Sequence, residues 1–427
     1  MKNTIILILL SLSYSIFAQD TLQVMQYNLL NYGNYWNDCT TSTNNVNTKN
    51  VHLKTIIKYV NPDIFTVNEL SETTSYHQMI LNEVLNTDGV NKYRKAVSFN
   101  YANSFLVNML YYNQEKLTLY SQDVVHSAVR DIDVFTLYYN SAGLGQGSDT
   151  IFITCLVAHL KAGNSDNDAS SRASMVSTAM TYIRTHDLPE NMLFMGDLNV
   201  YTHNEQAYIN LLYNYSGTQY FFDPIDRPGD WNNNYSFKDV HTQSTHSQNT
   251  ACFSHGGMDD RFDFILASGP LLQGNNGMKF LVNTYEALGN DGQHYNKSVN
   301  SSPTNTSAPS SVINALYNMS DHLPVLSKLK VDATLGLEEN LSSISSLRFE
   351  NPSIGDMQLK IQMRTAQNIK IEIYNSFGQL VLVQHHKDRG VSLSISLSLS
   401  HLSNGMYVLK VGDNENLSLS RKFILKK

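Results

Sequence analysis

The segment Leu22-Gln23-Val24-Met25-Gln26-Tyr27 is an apolar run, and it is followed by a helix-like stretch, Val51–Val60, and by a second apolar run, Ile64–Val67. A short apolar run is typical of a buried strand, and an amphipathic stretch with a period of about 3.6 residues is typical of a helix. The order strand, helix, strand therefore predicts an α/β fold. The pattern continues with predicted strands at Leu106–Tyr112, Val134–Tyr139, Ile151–Ala158, Met192–Met195, Phe262–Leu266 and Val325–Lys330, and with predicted helices at Thr74–Leu85 and Ala169–Arg184. Because the predicted strands outnumber the helices between them, two mixed sheets are favoured over one all-parallel sheet.

The composition excludes several classes of protein. The chain has 427 residues, of which 42% are hydrophobic and 16% are charged, and its formal net charge is -7. This composition indicates a globular protein and excludes a disordered chain, a collagen and a coiled coil. At roughly 100 to 200 residues per domain, the length predicts two or three folding units. The mild acidity argues against nucleic-acid binding through bulk positive charge, but an enzyme with a local cationic or metal-lined site stays open.

Residues 1–18 are predicted to be a cleavable signal peptide. Lys2 provides the positive start, Ile5–Leu12 the apolar region, and Phe17-Ala18-Gln19 the cleavage site. A membrane anchor is the alternative, but the apolar run is far shorter than the roughly 20 residues that a spanning helix needs. We therefore expect secretion and no transmembrane segment.

The three cysteines are too few for a scaffold built from disulfides. Cys155 lies inside an apolar run and is predicted to be a small buried residue. Cys39 and Cys252 lie in polar, loop-like sequence, and we hypothesise that they pair in an oxidising compartment.

A change in composition near residue 332 predicts a domain boundary. Residues 332–348 are rich in Leu, Ser and Glu without clear periodicity and are interpreted as a linker between a first domain, 19–331, and a tail, 349–427. Alternating segments such as Leu359–Met363 and Ile369–Tyr374 predict that the tail is all β. Within the first domain, the polar stretch Asn296–Ser311 is predicted to be a surface loop.

Several polar residues stand next to the ends of apolar strands, where side chains can line a cleft. They are Asn28, Glu69, His159, Asp197, Asn199, Asp321 and His322. The oxygen atoms of Glu69, Asp321 and the Asn28 amide suit a hard divalent ion, which favours Mg²⁺. Zinc is less favoured, because the histidines lack the spacing of a compact His-rich site and suit proton transfer or phosphate contact. Any one of these residues alone is more often a cap or turn residue, so only the whole series predicts a site.

In its order of motifs, the chain resembles the endonuclease/exonuclease/phosphatase superfamily over Thr21–Val331. The motifs are Tyr27-Asn28, Asn68-Glu69, His159-Leu160, Gly196-Asp197-Leu198-Asn199, Arg261-Phe262-Asp263 and Ser320-Asp321-His322. The resemblance implies a four-layer α/β sandwich with two mixed β-sheets and an active site at one edge of them. It also implies Glu69 as the principal metal ligand, with Asn28 beside it and Asp321 completing the site. His322 would be the base that activates water, oriented by Asp263.

The same resemblance implies roles for four further residues. His159 would contact phosphate or act as an acid, and Asp197 and Asn199 would position the nucleophile and the phosphoryl oxygens. Arg130 would contact substrate, although a surface pair with Asp131 explains this residue as well. A glutamate that supports the first histidine in some secreted nucleases has no clear counterpart in Phe105–Tyr112.

The tail resembles the C-terminal sorting domain of type IX secretion substrates over residues 349–427. The segments that carry this resemblance are Asn351-Pro352, Ile371–Asn375, Gly378–Val381, Leu402–Tyr407 and Lys422–Lys426. It implies a small all-β Ig-like sandwich domain that the type IX secretion machinery reads as an export address. A carbohydrate-binding β-module is the alternative. The protein is therefore expected to be secreted or on the cell surface, exported through the periplasm and outer membrane of a Gram-negative bacterium.

Together, these features predict a secreted, Mg²⁺-dependent phosphodiesterase that is a monomer and acts on nucleic acid, DNA or RNA. Mn²⁺ and Ca²⁺ are alternative ions. A sphingomyelin- or inositol-type phosphoesterase on the same fold is the first alternative function. A non-catalytic surface binding protein is the second, and the presence of all expected catalytic residues counts against it.

Overall fold

The computed structural model describes residues 18–125, 127, 129–141, 150–213, 220–333, 344–350, 353–363, 366, 368–375, 378–387, 390–412 and 418–426. Of the predicted signal peptide, all but Ala18 lies outside the described residues, as does 334–343 of the predicted linker. The described residues up to Ala333 form one compact unit, and those from Ile344 onward form a second. Among the helices of the described residues, none is both long enough and apolar enough to cross a membrane.

The first unit contains two six-stranded sheets. In chain order its strands are β1 (Ala18–Tyr32), β2 (Ile64–Ser71), β3 (Tyr93–Lys95), β4 (Leu106–Asn113), β5 (Leu117–Val125), β6 (Ile132–Tyr139), β7 (Phe152–His159), β8 (Met192–Asp197), β9 (Phe221–Phe222), β10 (Asp263–Ser268), β11 (Met278–Ala287) and β12 (Val325–Ala333). Its α-helices are α1 (Val46–Val60), α2 (Thr74–Met79), α3 (Asp166–Thr185), α4 (Gln206–Leu212), α5 (Gly269–Gln273) and α6 (Ser310–Met319). Helix α2 continues into a π-helical turn at Ile80–Leu85, and a short 3₁₀ turn lies at Tyr235–Phe237.

The two sheets pack face to face, and each is mixed. The first sheet has the order β11-β12-β1-β2-β4-β3 and the second β5-β6-β7-β8-β10-β9. Buried side chains of both sheets, such as Val67 and Val157, share one apolar cluster, which also includes residues of α1 and α6. The outer face of the second sheet packs against α3 and α4 through residues such as Phe194 and Met175. The predicted four-layer α/β sandwich is therefore confirmed.

Strand direction explains why the strand-end residues meet. Strands β1 and β2 are parallel, as are β7 and β8, so the carboxyl ends within each pair lie at the same edge. Strand β10 runs antiparallel to β8 and begins at Asp263, which pairs with Asp197 at the end of β8. Residues far apart in sequence are thus placed at one edge of the sandwich.

The stretch Asn296–Ser311 is only partly the surface loop that its polar composition predicts. Val299 and Asn305 are buried, and α6 already begins at Ser310. The Asn305 side-chain amide donates hydrogen bonds to the carbonyls of Gly289 and Val299, at 2.7 and 3.0 Å. The segment before α6 is therefore a loop with most of its residues exposed, as predicted, and a polar side chain within it satisfies buried backbone carbonyls.

The second unit is all β, as predicted. Its strands form a three-stranded sheet and a five-stranded sheet, and they are β13 (Ile344–Arg348), β14 (Ser353–Ile354), β15 (Met357–Met363), β16 (Ile369–Asn375), β17 (Leu380–His386), β18 (Ser392–Leu397), β19 (Gly405–Gly412) and β20 (Ser418–Lys426). Burial alternates strictly along β15, which is the pattern of a strand with one face in the core. Apolar residues of both sheets, including Ile361 and Leu409, form one cluster, so the unit is a small β-sandwich.

Candidate active site

Asn28 joins three strands at the edge described above. Its Nδ2 donates to Asp197 Oδ2 on β8 at 2.9 Å and to Glu69 Oε1 on β2 at 3.2 Å. Its Oδ1 accepts the Leu30 backbone N–H at 2.9 Å. Three of the residues singled out from the sequence are therefore in direct contact, and in this arrangement the Asn28 amide serves both carboxylates as a hydrogen-bond donor.

His322 and Asp263 form a close pair. His322 Nδ1 lies 2.7 Å from Asp263 Oδ2, and the same oxygen accepts from the Thr242 hydroxyl at 2.7 Å. On the other side of the ring, Nε2 lies 2.7 Å from Gln243 Nε2 and 3.7 Å from Asp197 Oδ2. A neutral His322 in this setting carries its proton on Nδ1 and accepts a hydrogen bond from the Gln243 amide at Nε2.

The two carboxylate oxygens of Asp321 differ in their hydrogen bonds. Oδ2 accepts from the Ser254 backbone N–H at 3.0 Å and from Gln243 Nε2 at 3.3 Å. Oδ1 is buried and has no hydrogen-bond partner among the residues that the structure describes. Burial removes the hydrogen bonds that such an oxygen would make to water, and here no other hydrogen bond takes their place. This indicates that the oxygen binds a ligand.

His159 faces the carboxylates from β7. Its Nε2 lies 3.5 Å from Asp197 Oδ2 and 3.8 Å from Glu69 Oε1. Its Nδ1 is buried and finds no hydrogen-bond partner within the described part of the chain. This agrees with the sequence prediction that a glutamate supporting this histidine has no clear counterpart in Phe105–Tyr112.

Arg130 and Asn199 converge on the carbonyl oxygen of Leu160, the residue after His159. Arg130 Nη1 donates to it at 3.2 Å and Asn199 Nδ2 at 3.3 Å. Burial lowers the pKa of Arg130, and the negative charges of Glu69 and Asp197 oppose that shift. The guanidinium thus lies within electrostatic reach of the same carboxylates.

A buried side-chain amide, that of Asn68, fastens the two sheets together behind the site. Asn68 Oδ1 accepts from the Asp197 backbone N–H at 2.9 Å and from Gln26 Nε2 at 2.6 Å. Its Nδ2 donates to Asn108 Oδ1 at 2.7 Å and to the Ala158 carbonyl at 3.2 Å. Because Asn68 precedes Glu69 and bonds to Asp197, it fixes the position of one carboxylate-bearing strand relative to the other.

The electrostatics differ sharply between the two histidines. Burial alone disfavours a charged His322, but the negative charges of Asp263 and Asp197 outweigh burial and hold its pKa well above the usual value. Burial lowers the pKa of His159 well below its usual value, and the positive charges of Arg130 and His322 act in the same direction. Burial also raises the pKa of Asp197, with the nearby Asp263 and Glu69 adding to the shift against the attraction of His322. One histidine is therefore held protonated and the other neutral.

The donor atoms present at this edge fit a hard divalent ion. Ligand atoms of Glu69, His159 and Asp197 all lie within 4.8 Å of one another. The free Oδ1 of Asp321 adds a further oxygen at the same edge. Carboxylate oxygens are the ligands that Mg²⁺ and similar ions prefer. Of the metal ligands predicted from the sequence, Glu69 belongs to this close group and Asn28 bonds to two of its carboxylates. Asp321 lies outside the group and is linked to His322 through Gln243.

Four residues at the site were not singled out from the sequence. They are Asn31, Thr242, Gln243 and Ser254. Asn31 and Ser254 act through backbone N–H groups, to Glu69 Oε2 at 2.8 Å and to Asp321 Oδ2. Backbone donors leave no signature in residue type, so no sequence pattern indicates them. Thr242 and Gln243 lie in a polar segment that has no feature to distinguish it from other loops. Only the fold places them beside Asp263 and His322.

A disulfide ties two loops of the site together. Cys39, in the loop after β1, is bonded to Cys252, at a sequence separation of 213. Cys252 lies two residues before Ser254, whose N–H holds Asp321. The predicted pairing is thus present in the structure, and Cys155 is a buried free cysteine, as predicted.

The comparison with protein families concerns the tail. Residues 349–426 match the family described as the secretion system C-terminal sorting domain. The type IX sorting resemblance of the tail is thereby confirmed, and the match indicates a chain that is exported. A comparison with curated proteins found no significant match.

Solved structures similar to this chain include members of the family that its motifs resemble. A Beutenbergia cavernae protein named as endonuclease/exonuclease/phosphatase has 13% identity and a TM-score of 0.44, with 95% of this chain and 100% of that chain covered. A Bacteroides thetaiotaomicron protein of the same family name has 16% identity and a TM-score of 0.42, with coverage of 74% and 99%. TDP2 from D. rerio, solved with a single strand DNA product, has 13% identity and a TM-score of 0.44, with coverage of 72% and 98%.

Proposed function

We propose that this protein is a secreted, metal-dependent phosphodiesterase with Mg²⁺ as its ion and nucleic acid as its substrate. The observation that carries the proposal is the convergence of His322, paired with Asp263, on the carboxylates of Asp197 and Glu69 within one buried edge. An imidazole with an orienting carboxylate, set beside an oxygen-rich ion site, is the arrangement that water attack on phosphorus requires.

In this proposal His322 is the general base. The contact from Nδ1 to Asp263 fixes the ring and its tautomer, and Nε2 would exchange its contact with Gln243 for the attacking water. Asp263 is held in turn by the Thr242 hydroxyl. His322 must lose the proton that its carboxylate neighbours favour before it can accept one from water, so the rate is expected to rise with pH.

Glu69 and Asp321 would hold the divalent ion, with Asn28 ordering the carboxylates around it. When bound, such an ion stabilises the negative charge that develops on the phosphoryl oxygens. His159, kept neutral by burial, would donate a hydrogen bond from Nε2 to a phosphoryl oxygen. Arg130 and Asn199 would contact the phosphodiester from the Leu160 side.

Two exposed aromatic residues in segments that adjoin strands of this edge support a nucleic-acid substrate. Trp36 and Phe105 are 68% and 70% exposed. Trp36 follows β1 in the loop that Cys39 anchors, and Phe105 immediately precedes Leu106, which pairs with the end of β2. Large exposed apolar side chains beside a polar site favour a ligand with flat apolar faces, and unpaired bases stack on such rings.

The test is hydrolysis by the purified full chain. Supercoiled plasmid, single-stranded RNA, sphingomyelin vesicles and bis(4-nitrophenyl) phosphate would each be incubated with Mg²⁺, beside an EDTA control and the variant His322→Ala. Nucleic-acid cleavage that both controls abolish is the expected result. Cleavage of lipid but not nucleic acid would overturn the substrate, and no hydrolysis of any phosphodiester by folded, ion-binding protein would overturn the enzyme.

A further inference from the structure

The turn that follows Asn28 has an unfavourable backbone conformation. Leu30 and Asn31 both have φ of +47°, in the left-handed region that non-glycine residues rarely adopt. The register between β1 and β2 shifts at this point, between Asn28 and Tyr32. The turn presents the Leu30 N–H to Asn28 Oδ1 and the Asn31 N–H to Glu69 Oε2. Two consecutive strained residues therefore provide hydrogen bonds to two residues of the candidate site, and something must hold them there.

Two buried side chains hold the carbonyl side of this turn. Lys49 Nζ donates to the Leu30 carbonyl at 3.1 Å and to Asn44 Oδ1 at 2.9 Å. Asn44 Nδ2 donates to the carbonyls of Leu30 and Asn31, at 3.1 and 3.0 Å. Lys49 and Asn44 are each only 2% exposed. Together they satisfy the carbonyls that the strained turn removes from the strand ladder.

The position of Lys49 is poor for a lysine by local rules. It lies in the first turn of α1, where the helix dipole disfavours a cation and where no acidic side chain compensates. It forms no ion pair among the described residues, although buried lysines are usually paired. Burial lowers the pKa of Lys49 to about 7, against the attraction of the Asp321 and Glu69 charges. A residue that breaks these rules while serving a strained turn indicates a functional requirement.

We propose that Lys49 is a positioning residue for Glu69. With Asn44 it fixes the Leu30–Asn31 turn, and the turn fixes the Asn31 N–H on Glu69 Oε2, so that Oε1 stays directed at Asn28 and His159. This inference rests on the proposed function, in which Glu69 holds the divalent ion. Groups that orient a metal ligand typically change metal affinity by 10- to 100-fold when they are removed.

The experiment is a double-mutant cycle on Mn²⁺ binding by the full chain, measured by electron paramagnetic resonance of free Mn²⁺. Lys49→Met keeps the length of the side chain and removes its donors, and Glu69→Gln removes the ligand charge. We expect Lys49→Met alone to weaken Mn²⁺ binding at least tenfold relative to wild type. Added to Glu69→Gln, the same substitution should weaken binding less than threefold relative to Glu69→Gln alone. The control Lys58→Met alters an exposed lysine of the same helix and should leave the affinity unchanged.

The other outcomes would each overturn either the role of Lys49 or the proposed ion site. Normal Mn²⁺ affinity in folded Lys49→Met overturns the role of Lys49. Full additivity of the affinity losses of Lys49→Met and Glu69→Gln overturns it too, because a Lys49 that acts independently of Glu69 would lower the affinity equally in both backgrounds. If wild type and Glu69→Gln bind Mn²⁺ equally, the ion site of the proposed function fails instead. If Lys49→Met does not fold, Asn44→Ala is used instead, because Asn44 is the other side chain that holds the turn. Asn44→Ala must then weaken Mn²⁺ binding less in the Glu69→Gln background than in wild type.

Discussion

His322 Nδ1 lies 2.7 Å from Asp263 Oδ2, and both groups are almost completely buried. The charge of Asp263 is the strongest attraction that raises the pKa of His322 against burial. One carboxylate thus has two effects on the histidine: it orients the ring, and it retains a proton that a general base must give up. Orienting the ring raises the rate, and retaining the proton lowers it at neutral pH. The two effects can be separated by experiment.

Asp263→Asn should lower kcat and shift its pH dependence. The amide keeps the size of the side chain but removes the charge, so the pKa of His322 falls and the rising limb of the pH–rate profile moves to lower pH. Loss of the orienting acceptor should lower the maximal rate by about 10² to 10⁴-fold. The measurement is kcat against pH from 5.5 to 9.5. A profile that keeps its position, or a kcat within threefold of wild type, would contradict the role given to this pair.

Asp321→Asn should weaken divalent-ion binding about tenfold. The substitution removes the negative charge of the carboxylate, and hard ions bind neutral amides less well than carboxylates. Isothermal titration with Mn²⁺ measures the change. Glu72→Gln is the matched control, because Glu72 is an exposed acidic residue three positions after Glu69. Equal affinity in Asp321→Asn and wild type would remove Asp321 from the ion site.

His246 should make the first unit less stable in acid. Its ring is buried between Phe253 and Tyr317, with centroids 4.2 and 3.8 Å away, and burial lowers its pKa to about 4. In the unfolded chain its pKa is about 6.5. As pH falls from about 6.5 to 4, only the unfolded state gains this proton, so the free energy of unfolding falls, by up to roughly 3 kcal/mol.

Urea unfolding at pH 6.5, 5.5 and 4.5 in EDTA, followed by tryptophan fluorescence, checks this pH dependence. His246→Phe keeps an aromatic ring in place and cannot be protonated, so its stability should fall less over this range than that of wild type. The exposed His255, changed to Gln, is the control and should follow wild type. A parallel loss of stability in wild type and His246→Phe would show that other groups determine the acid sensitivity.

Trp36 should report substrate binding. The chain contains two tryptophans, of which Trp36 is exposed and Trp231 is completely buried. Binding of a single-stranded oligonucleotide to the inactive His322→Ala chain should quench the emission of Trp36 by stacking. Trp36→Phe in that background should remove the quenching, and Trp36→Ala should weaken binding roughly tenfold, since one base stack contributes about 1–3 kcal/mol. Tyr120→Leu, on the outer strand β5, is the control. Unaltered emission on saturation with oligonucleotide would place the bases elsewhere.

Much of the fold was predictable because its central strands are apolar on both faces. Strands β2, β7 and β8 are buried almost throughout, so each stands out as an apolar run with a polar residue at its end. Strands β5 and β11 were missed, since both are only partly buried and mix polar with apolar residues without a long apolar run. Helix α6 was missed because its first two residues, Ser310 and Ser311, belong to the polar stretch that was interpreted as a loop, and because the helix is only ten residues long.

The residues of the site that could be predicted are those whose side chains stand at strand ends. Asn28, Glu69, Asp197 and His322 meet at one edge, and no pattern within any single segment shows that they do. The partners of these groups were not predictable, because Asn31 and Ser254 contribute backbone N–H groups and Lys49 looks like an ordinary helix residue. Contacts of this kind depend on loop conformation, which short-range sequence patterns do not determine.

The Cys39–Cys252 bond also bears on the fate of the chain after cleavage by proteases. Because the bond spans 213 positions, a single backbone cut anywhere between residues 40 and 251 leaves both fragments covalently joined. A cut after Glu69 would place Asn28 and Glu69 on one fragment and Asp263 and His322 on the other, and the disulfide would keep these two fragments connected. For an exported protein, this linkage means that nicking and loss of activity are separate events, and a nicked molecule can still hold both halves of its site together.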